Sequence, residues 1–533
     1  MVNVTCFGAA GSVTGSNYLI ENSRGLKILV DCGLFQGDKE TESRNWEEWG
    51  YDPKRIKNLV LTHAHIDHSG RIPKIVKDGF RGRIIASPPT VELCGVMLLD
   101  SGHVQEMDAE WRTRKNRRQA RRDVVPLYTA NDAQESLRYL VPTELDQIVD
   151  LEPGAKARLR NAGHILGSCI LELWIEDEGK ETKIVFSGDL GKHSQLIVDD
   201  PSAIMEADYL FIESTYGNRM HRSLEESKLE LLDAIKYAAS HNEKVIIPAF
   251  AVERTQEVLY VLGEFYRAGK LPEMPIYLDS PLAIKATEIF RNNKKYYDAD
   301  ALAIVGQGFD PFKMPNLKFT PTAKDSMQIN QLQGPGIVIS ANGMCTAGRI
   351  KHHLKHNLWR PGASIVIVGF QAEGSTGRQI VDGARTVTIF GEKVAVRAKV
   401  FTIGGFSCHA DQAGLLEWVG HFADKSRPRV FVTHGEPAAS RSLAEAIRAQ
   451  FGLEVSVPRR REVLKLDRRE LMPEAIPEPV PAEDLRQNML TLTAELEAEI
   501  ARLRERLATN GKKISQDDLK KLGTIREALE GIV

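Results

Sequence analysis

Four side chains that can bind metal lie within six residues of the chain, directly after an apolar segment at 57–62 that predicts a strand. They are His63, His65, Asp67 and His68, and imidazole nitrogen and carboxylate oxygen are ligands that suit zinc. A turn that leads into a helix can direct His63 and His65 to one side and Asp67 and His68 to the other. The motif therefore predicts two metal ions, with a solvated polar loop as the alternative.

A two-metal site needs further ligands from distant parts of the chain, and three candidates stand out. His164 lies between glycines in the segment 161–168, while Asp189 and His434 each follow an apolar, strand-like segment. A carboxylate at the position of Asp189 could bridge two metals, although each of the three residues could instead have a structural role. Asp31 also follows an apolar segment, and we expect it to hydrogen-bond a ligand histidine.

The composition is that of a globular protein, with 42% apolar and 27% charged residues in a chain of 533. Lys and Arg number 70 against 72 Asp and Glu, and the formal charge of −2 excludes a uniformly basic coat but allows a local basic patch. No apolar run reaches about 18 residues and the start has no signal-peptide pattern, so we expect no membrane span. The six cysteines form no CxxC pair, which favours a reducing, cytoplasmic setting.

Strand-like segments and Gly-rich turns are typical of the first part of the chain, up to about residue 210. Helical periodicity at 225–239 and 253–268 then alternates with strand-like segments, which predicts an α/β domain with a largely parallel sheet. Because the strand-like pattern returns near 399, the simplest arrangement is one domain interrupted by another. We predict a first domain at 1–208 and 399–466, an inserted domain at 209–398, a Pro-rich linker at 467–482 and a helical tail at 483–533.

The tail repeats Leu, Ile and Met at steps of three or four residues. This spacing predicts an amphipathic helix with a narrow apolar seam. The helix could form a hairpin packed on the body or an element for self-association, so a homodimer is one expectation.

A basic segment at 112–122 has seven basic residues in eleven, among them Arg117, Arg118, Arg121 and Arg122. It lies between the segments that hold His68 and His164. We therefore favour a role in holding a phosphate backbone, with a solvated loop or helix face as the alternative.

Several motifs together resemble the metallo-β-lactamase superfamily: HxHxDH at 63–68, GHxxGS at 163–168, SGDLG at 187–191 and THGE at 433–436. The segments 213–217, 406–411 and 434–436 are similar to the three extra motifs of its β-CASP branch, and the inserted domain is similar to that branch's cap. The resemblance implies an αββα sandwich with an inserted α/β cap. Within the branch it points to RNA-processing nucleases similar to the endonuclease subunit that cuts pre-messenger RNA at its 3′ end.

The resemblance also implies a ligand set. One zinc ion would bind His63, His65 and His164, a second would bind Asp67, His68 and His434, and Asp189 would bridge them. Water activated by the metals would attack phosphorus. Asp67 is counted among the catalytic groups as well as among the ligands.

Glu213 and His409 match the family's acidic and histidine motifs beyond the ligands, and two further residues are candidates for substrate binding. Glu213 would orient His409, and His409 would protonate the leaving oxygen. The alternatives are a charge at an exposed strand end for Glu213 and a buried, hydrogen-bonded histidine for His409. Ser407 is a candidate hydroxyl donor to the scissile phosphate, and Arg378, in a glycine-rich segment, could bind phosphate.

The predicted function is that of a two-zinc ribonuclease acting on single-stranded RNA, as an endonuclease and with 5′-3′ exonuclease activity as a further option. In the family, histidine at the position of His434 goes with RNA, whereas DNA-processing members tend to have an aliphatic residue there. One alternative is a metallo-hydrolase of a small ester, thioester or lactam. Another is a non-catalytic RNA-binding scaffold, which would typically have lost metal ligands.

Overall fold

The computed structural model describes residues 1–117, 123–372, 374–423 and 425–466. The predicted linker at 467–482 and helical tail at 483–533 lie outside the described residues, as do Arg118, Arg121 and Arg122 of the basic segment. The strands of the described part are β1 Val2–Cys6, β2 Tyr18–Glu21, β3 Lys27–Val30, β4 Asn58–Val60, β5 Arg83–Ala86, β6 Leu140–Pro142, β7 Ile148–Glu152, β8 Ala155–Asn161, β9 Cys169–Asp177, β10 Lys180–Phe186, β11 Tyr209–Ile212, β12 Lys244–Pro248, β13 Ile276–Leu278, β14 Leu317–Phe319, β15 Gly336–Ser340, β16 Ser364–Ile367, β17 Thr386–Ile389, β18 Glu392–Ala395, β19 Lys399–Thr402, β20 Arg429–Val432, β21 Val455–Ser456 and β22 Val463–Leu466. The α-helices are α1 Lys39–Ser43, α2 Ile66–Ser69, α3 Ile72–Lys77, α4 Pro88–Arg117, α5 Ala130–Ser136, α6 Leu224–Ser240, α7 Arg254–Arg267, α8 Pro281–Asn292, α9 Ala299–Gly306, α10 Ala323–Gln331, α11 Ile350–Asn357, α12 Thr376–Val381, α13 Gln412–Ala423 and α14 Pro437–Phe451.

Two mixed sheets of seven described strands each face one another. Their orders are β22-β1-β2-β3-β4-β5-β6 and β21-β20-β11-β10-β9-β8-β7. Side chains alternate between the two faces of a strand. Ile28 of β3 therefore packs between the sheets and Leu29 on the outer side, as Phe211 and Leu210 of β11 do in the second sheet. Because both faces are covered, these strands are continuous apolar runs in the sequence.

Helices cover the outer face of each sheet. Leu59 of β4 shares an apolar cluster with Leu93 of α4, and Leu210 shares another with Trp418 of α13 and Leu443 of α14. Each fully buried leucine contributes about 1.5–3 kcal/mol relative to an exposed one. The result is the four-layer αββα sandwich that the sequence predicts.

A separate parallel sheet lies between β11 and β20 in the chain, with the order β14-β13-β15-β12-β16-β19. Val245 of β12 packs in the cluster that also contains Leu93 of the sandwich, while Ile246 packs on the opposite face with Leu354 of α11. The predicted parallel sheet is thus confirmed. We call residues 213–402, which end with β19, the cap.

The predicted domain boundaries at 209 and 399 are wrong by one strand each. Tyr209–Ile212 pairs in parallel with β10 and β20, so β11 belongs to the sandwich. Lys399–Thr402 pairs in parallel with β16, so β19 is an edge strand of the cap sheet. A short apolar run followed by a polar residue occurs in both sheets, and this local pattern does not tell which sheet a strand joins.

Helix α4 also differs from the prediction, because its 30 residues lie in a region expected to consist of strands and turns. Its first part packs Leu93 and Leu98 into the core, whereas Met107 and Trp111 further along are exposed. The basic segment begins on its last turns. Although α4 is long, none of the helices in the described residues combines the length and apolar character that a membrane span requires.

The sandwich brings the carboxyl ends of four strands to one edge. His63 follows β4, Asp189 follows β10, Glu213 follows β11 and His434 follows β20. Strands β10, β11 and β20 are parallel neighbours. Because functional groups in such sheets collect at the carboxyl ends of parallel strands, this edge is where a site is expected.

A substitution at Gly33 tests how closely the backbone segments pack at this edge of the sandwich. Its N–H donates to Ser16 at 2.8 Å, and a Cβ atom at position 33 would overlap the carbonyl oxygen of Asp67. We expect Gly33→Ala to lower the free energy of unfolding by about 1–3 kcal/mol, because the backbone of α2 would have to move. The measurement is chemical denaturation. The matched control is Gly95→Ala in α4, where a Cβ meets nothing within 4 Å and alanine favours the helix by about 0.5–1 kcal/mol. Equal stability of the two variants would contradict the prediction.

Candidate metal centre

The 63–68 motif turns from β4 into α2, and this turn separates its side chains. His65 is the N-cap residue of α2, with extended ψ of 145°, and Asp67 and His68 lie in the helix itself. The Ser69 hydroxyl donates to the carbonyl oxygens of Ala64 and His65, at 2.8 and 3.0 Å, and fixes the turn. The predicted division of the motif into two pairs is what the geometry shows.

The first group consists of three histidines and one carboxylate. His65 Nδ1 lies 3.2 Å from His63 Nε2 and 3.3 Å from His164 Nε2. Asp189 Oδ2 lies 3.5 Å from His63 Nε2 and 3.7 Å from His164 Nε2. Four ligand atoms about 2.0–2.1 Å from a tetrahedral zinc ion are about 3.3–3.4 Å from one another. The spacing of this group therefore fits zinc.

The second group consists of Asp67, His68 and His434, which lie around the other oxygen of Asp189. Asp189 Oδ1 is 3.3 Å from both His68 Nε2 and His434 Nε2, and His434 Nε2 is 3.9 Å from Asp67 Oδ2. His68 Nε2 and Asp189 Oδ1 are buried and close to each other, but within the described residues neither makes a well-directed hydrogen bond. A buried polar atom without a partner costs free energy, and a metal ion would satisfy both.

The protonation of the first group suits metal binding. Burial lowers the pKa of His63 and of His164 well below the usual imidazole range, and it lowers the pKa of His65 to about 4. These three side chains are neutral near pH 7, and neutral imidazole is the form that binds a metal ion.

Asp31 contacts a predicted ligand, as the sequence led us to expect. Its Oδ2 lies 2.7 Å from His68 Nδ1, and its Oδ1 accepts from the N–H of Thr62 at 2.8 Å. Burial alone would lower the pKa of His68, but Asp189 and Asp31 raise it well above its usual value. The contact between Asp31 Oδ2 and His68 Nδ1 orients the imidazole so that its Nε2 faces Asp189. The backbone of Asp31 is left-handed, with φ of 58°.

Glu213 and His409 form a contact beside the metal-binding groups. Glu213 Oε1 accepts from the N–H of Leu190 at 2.7 Å and lies 3.1 Å from His409 Nδ1. Glu213 is 1% exposed, so the alternative of a charge at an exposed strand end is wrong. Burial alone would lower the pKa of His409, but Glu213 and Asp189 raise it to about 9.

Sequence reasoning missed three residues that support these side chains. Thr62 Oγ1 lies 3.1 Å from His63 Nδ1, Gln195 Nε2 donates to the carbonyl oxygen of His164 at 2.8 Å, and His221 Nε2 lies 2.9 Å from the carbonyl oxygen of His409. Thr62 directly precedes the first motif and His221 follows the 213–217 segment closely, so position could have suggested both. Nothing in the sequence distinguishes Gln195.

The predicted substrate-binding residues are placed less fully. Ser407 is buried two residues before His409, and Arg378 pairs with Asp382 at 2.9 Å at the end of α12. Arg117 ends α4, and its side chain lies outside the described structure together with Arg118, Arg121 and Arg122. Contacts of these residues with a substrate stay predictions.

Three family models match the chain. Residues 10–249 match the metallo-beta-lactamase superfamily, residues 255–380 match the Beta-Casp domain, and residues 393–458 match the Zn-dependent metallo-hydrolase RNA specificity domain. The last of these spans His409 and His434.

Curated relatives align over most of the chain. Ribonuclease TTHA0252 of Thermus thermophilus is 37% identical over 458 residues, which cover 86% of this chain and 98% of the relative. Transcription termination factor FttA is 32% identical in Pyrococcus abyssi and 29% identical in Methanosarcina mazei. Each of these alignments covers 87% of this chain, and 71% and 72% of the two factors respectively.

Asp31→Asn tests whether the centre binds metal through an oriented His68. Asparagine tolerates the left-handed backbone and has nearly the same shape, so the change isolates the loss of the carboxylate charge. We expect zinc affinity to fall about 10–100-fold, as is typical when the hydrogen-bond partner of a ligand histidine is lost. Competition with a chromogenic chelator measures the affinity. Asp382→Asn, at the end of α12, is the control, and wild-type affinity in Asp31→Asn would contradict the proposed orientation.

Proposed function

Because the chain belongs to the β-CASP branch of the metallo-β-lactamase superfamily, we propose that it is a zinc-dependent ribonuclease that hydrolyses phosphodiester bonds of single-stranded RNA. The observation that carries the proposal is the contact between Glu213 Oε1 and His409 Nδ1. His409 Nδ1 also lies 4.0 Å from Oδ2 of Asp189, the residue that faces both metal-binding groups. Any metal-dependent hydrolase needs metal ligands. The Glu213–His409 pair is additional to them and would supply a proton donor.

The residues fit two zinc ions. His63, His65 and His164 would hold one, Asp67, His68 and His434 the other, and Asp189 presents one oxygen to each group. The chemistry that zinc supplies when bound in such a centre is activation of water and neutralisation of charge on the transferring phosphate. The chain's contribution is to hold the ligands in position through Asp31 and to exclude bulk water by burial.

His409 is suited to act as a general acid. Glu213 accepts the proton of Nδ1, which fixes the ring and leaves Nε2 as the atom that delivers a proton to the leaving oxygen. The raised pKa, about 9, keeps the imidazole protonated near neutral pH. The side chain of His221 also holds this residue, because its Nε2 contacts the carbonyl oxygen of His409.

RNA is the substrate that the relatives support best. The relative matched over nearly its full length bears the name ribonuclease, and the matched RNA specificity domain spans His409 and His434. The archaeal termination factors are matched over less of their length, so termination activity carries less weight here. We propose endonuclease action first, with 5′-3′ exonuclease action as an extension of it.

Two other functions have less support. A hydrolase of a small ester, thioester or lactam shares the metal ligands but has no need of the Glu213–His409 pair or of the cap. A non-catalytic scaffold has no need of a complete ligand set, and all seven ligand positions are occupied by His or Asp.

Asp189→Ala tests the metal dependence. We expect the variant to lose most of its zinc, against about two equivalents in the wild type, because both groups lose a ligand. Cleavage of a 5′-labelled single-stranded RNA should disappear, as it should when a chelator is added to the wild type. The product ladder also distinguishes internal cuts from stepwise removal of nucleotides. Full activity in Asp189→Ala would refute the metal assignment.

His409→Ala tests the general acid separately. We expect cleavage to slow about 10²–10⁴-fold, the usual contribution of such a group, with zinc content unchanged. His241→Ala, at the exposed end of α6, is the matched control. Loss of zinc in His409→Ala, or cleavage at the wild-type rate, would each contradict the assignment.

A further inference from the structure

The residue before α7 has a backbone conformation that L-amino acids rarely adopt. Glu253 has φ of 68° and ψ of −65°, and the N–H of Arg254 donates to the carbonyl oxygen of Val252 at 3.0 Å. This is a γ-turn with positive central φ, which is strained for a residue with a side chain. Glycine would adopt the conformation more readily. A glutamate kept in such a turn suggests that its side chain is needed at that point.

The side chain of Glu253 reaches from the cap into the loop that carries His164. Glu253 is 1% exposed, and its Oε2 accepts from the N–H of Leu166 at 3.2 Å. Elsewhere in this loop, Ser168 Oγ accepts from the N–H of His164 at 3.0 Å and Thr90 Oγ1 donates to the carbonyl oxygen of Gly167 at 2.9 Å. The loop is thus held by the sandwich on one side and by a cap residue on the other.

The next residue reaches the loop that carries His409. Arg254 Nη2 donates to Cys408 Sγ at 3.4 Å, and Nη1 donates to the carbonyl oxygen of Val368 in the cap at 2.6 Å. Glu257 Oε2 lies 3.2 Å from Arg254 Nε and balances the buried guanidinium. Two successive cap residues therefore contact the two loops that hold His164 and His409.

We propose that Glu253 is a positioning residue through which the cap holds His164 in the geometry of the metal centre, with Arg254 doing the same for the loop of His409. Glu253 acts through the backbone of Leu166 and touches no reacting atom. The strained turn places the Glu253 side chain where it makes this contact. The inference rests on the proposed function for its cleavage readout, whereas its metal-affinity readout is independent of the substrate.

The test compares Glu253→Gly with Glu253→Gln. Glycine relieves the turn and removes the acceptor, whereas glutamine keeps an acceptor oxygen at the same reach. We expect Glu253→Gly to weaken zinc binding about tenfold or more, as for other groups that orient metal ligands, while the metal-free protein melts at or above the wild-type temperature. RNA cleavage should slow by a similar factor. Glu253→Gln should stay within about twofold of the wild type in both. Asn242→Gly, at another left-handed position in the cap, with φ of 57°, is the control and should change neither.

Three outcomes would overturn the proposal. A metal-free Glu253→Gly protein that melts below the wild-type temperature, together with an unchanged zinc affinity, would make Glu253 a structural residue. Equal impairment of Glu253→Gln and Glu253→Gly would show that the acceptor oxygen is not the cause. Unchanged zinc affinity in a stable Glu253→Gly protein would remove the link to His164. If the wild type cleaves no RNA, the proposed function fails, and the zinc affinities still decide the role of Glu253.

Discussion

The Asp189 carboxylate is a buried negative charge that faces five imidazoles, and the surrounding structure is organised to keep it there. Burial alone would raise its pKa, yet His434, His68 and His63 lower it well below the usual range. Breaking a buried, paired group typically costs about 3–5 kcal/mol, because one partner is left without compensation. The histidines are brought from distant positions in the chain, so the carboxylate, the strand ends and the loops depend on one another.

The sandwich brings several of these side chains together at the ends of its strands. The cap contacts the two loops that hold others. Strands β10, β11 and β20 are parallel neighbours, so Asp189, Glu213 and His434 emerge at one edge without special loops. His164 and His409 do not follow a strand directly but lie in loops, although His409 forms a single β-bridge with Gly191. These are the two loops contacted by Glu253 and Arg254 of the cap. The parts of the site that lie in loops are thus the parts that the cap contacts.

Much of the site could be predicted from the sequence, because its determinants are local. The 63–68 motif and the strand-end positions of Asp189 and His434 follow from residue type and from short apolar runs. What could not be predicted depends on pairing across the chain. The sheet that β11 or β19 joins is decided by distant partners, and Gln195 acts through a backbone atom of His164. Glu253 was equally hidden, since a γ-turn with a non-glycine residue has no pattern in the sequence.

Exposure within the site indicates the side from which a substrate approaches. The side chains of His63, His68, His164, Asp189 and His434 are 0–5% exposed, whereas those of Asp67 and His409 are 22% and 21% exposed. His65 is partly buried as well, so the open side of the centre lies at His65, Asp67 and His409. A proton donor has to meet its substrate there, and His409 is the imidazole whose pKa the neighbouring carboxylates raise to about 9. His63 and His164, which burial keeps neutral, are suited to bind metal, whereas the partly buried His409, which contacts Glu213, is suited to donate a proton. Histidine thus suits two tasks in this centre, metal binding and proton donation. Its burial and its nearest carboxylate decide which of the two tasks each histidine suits.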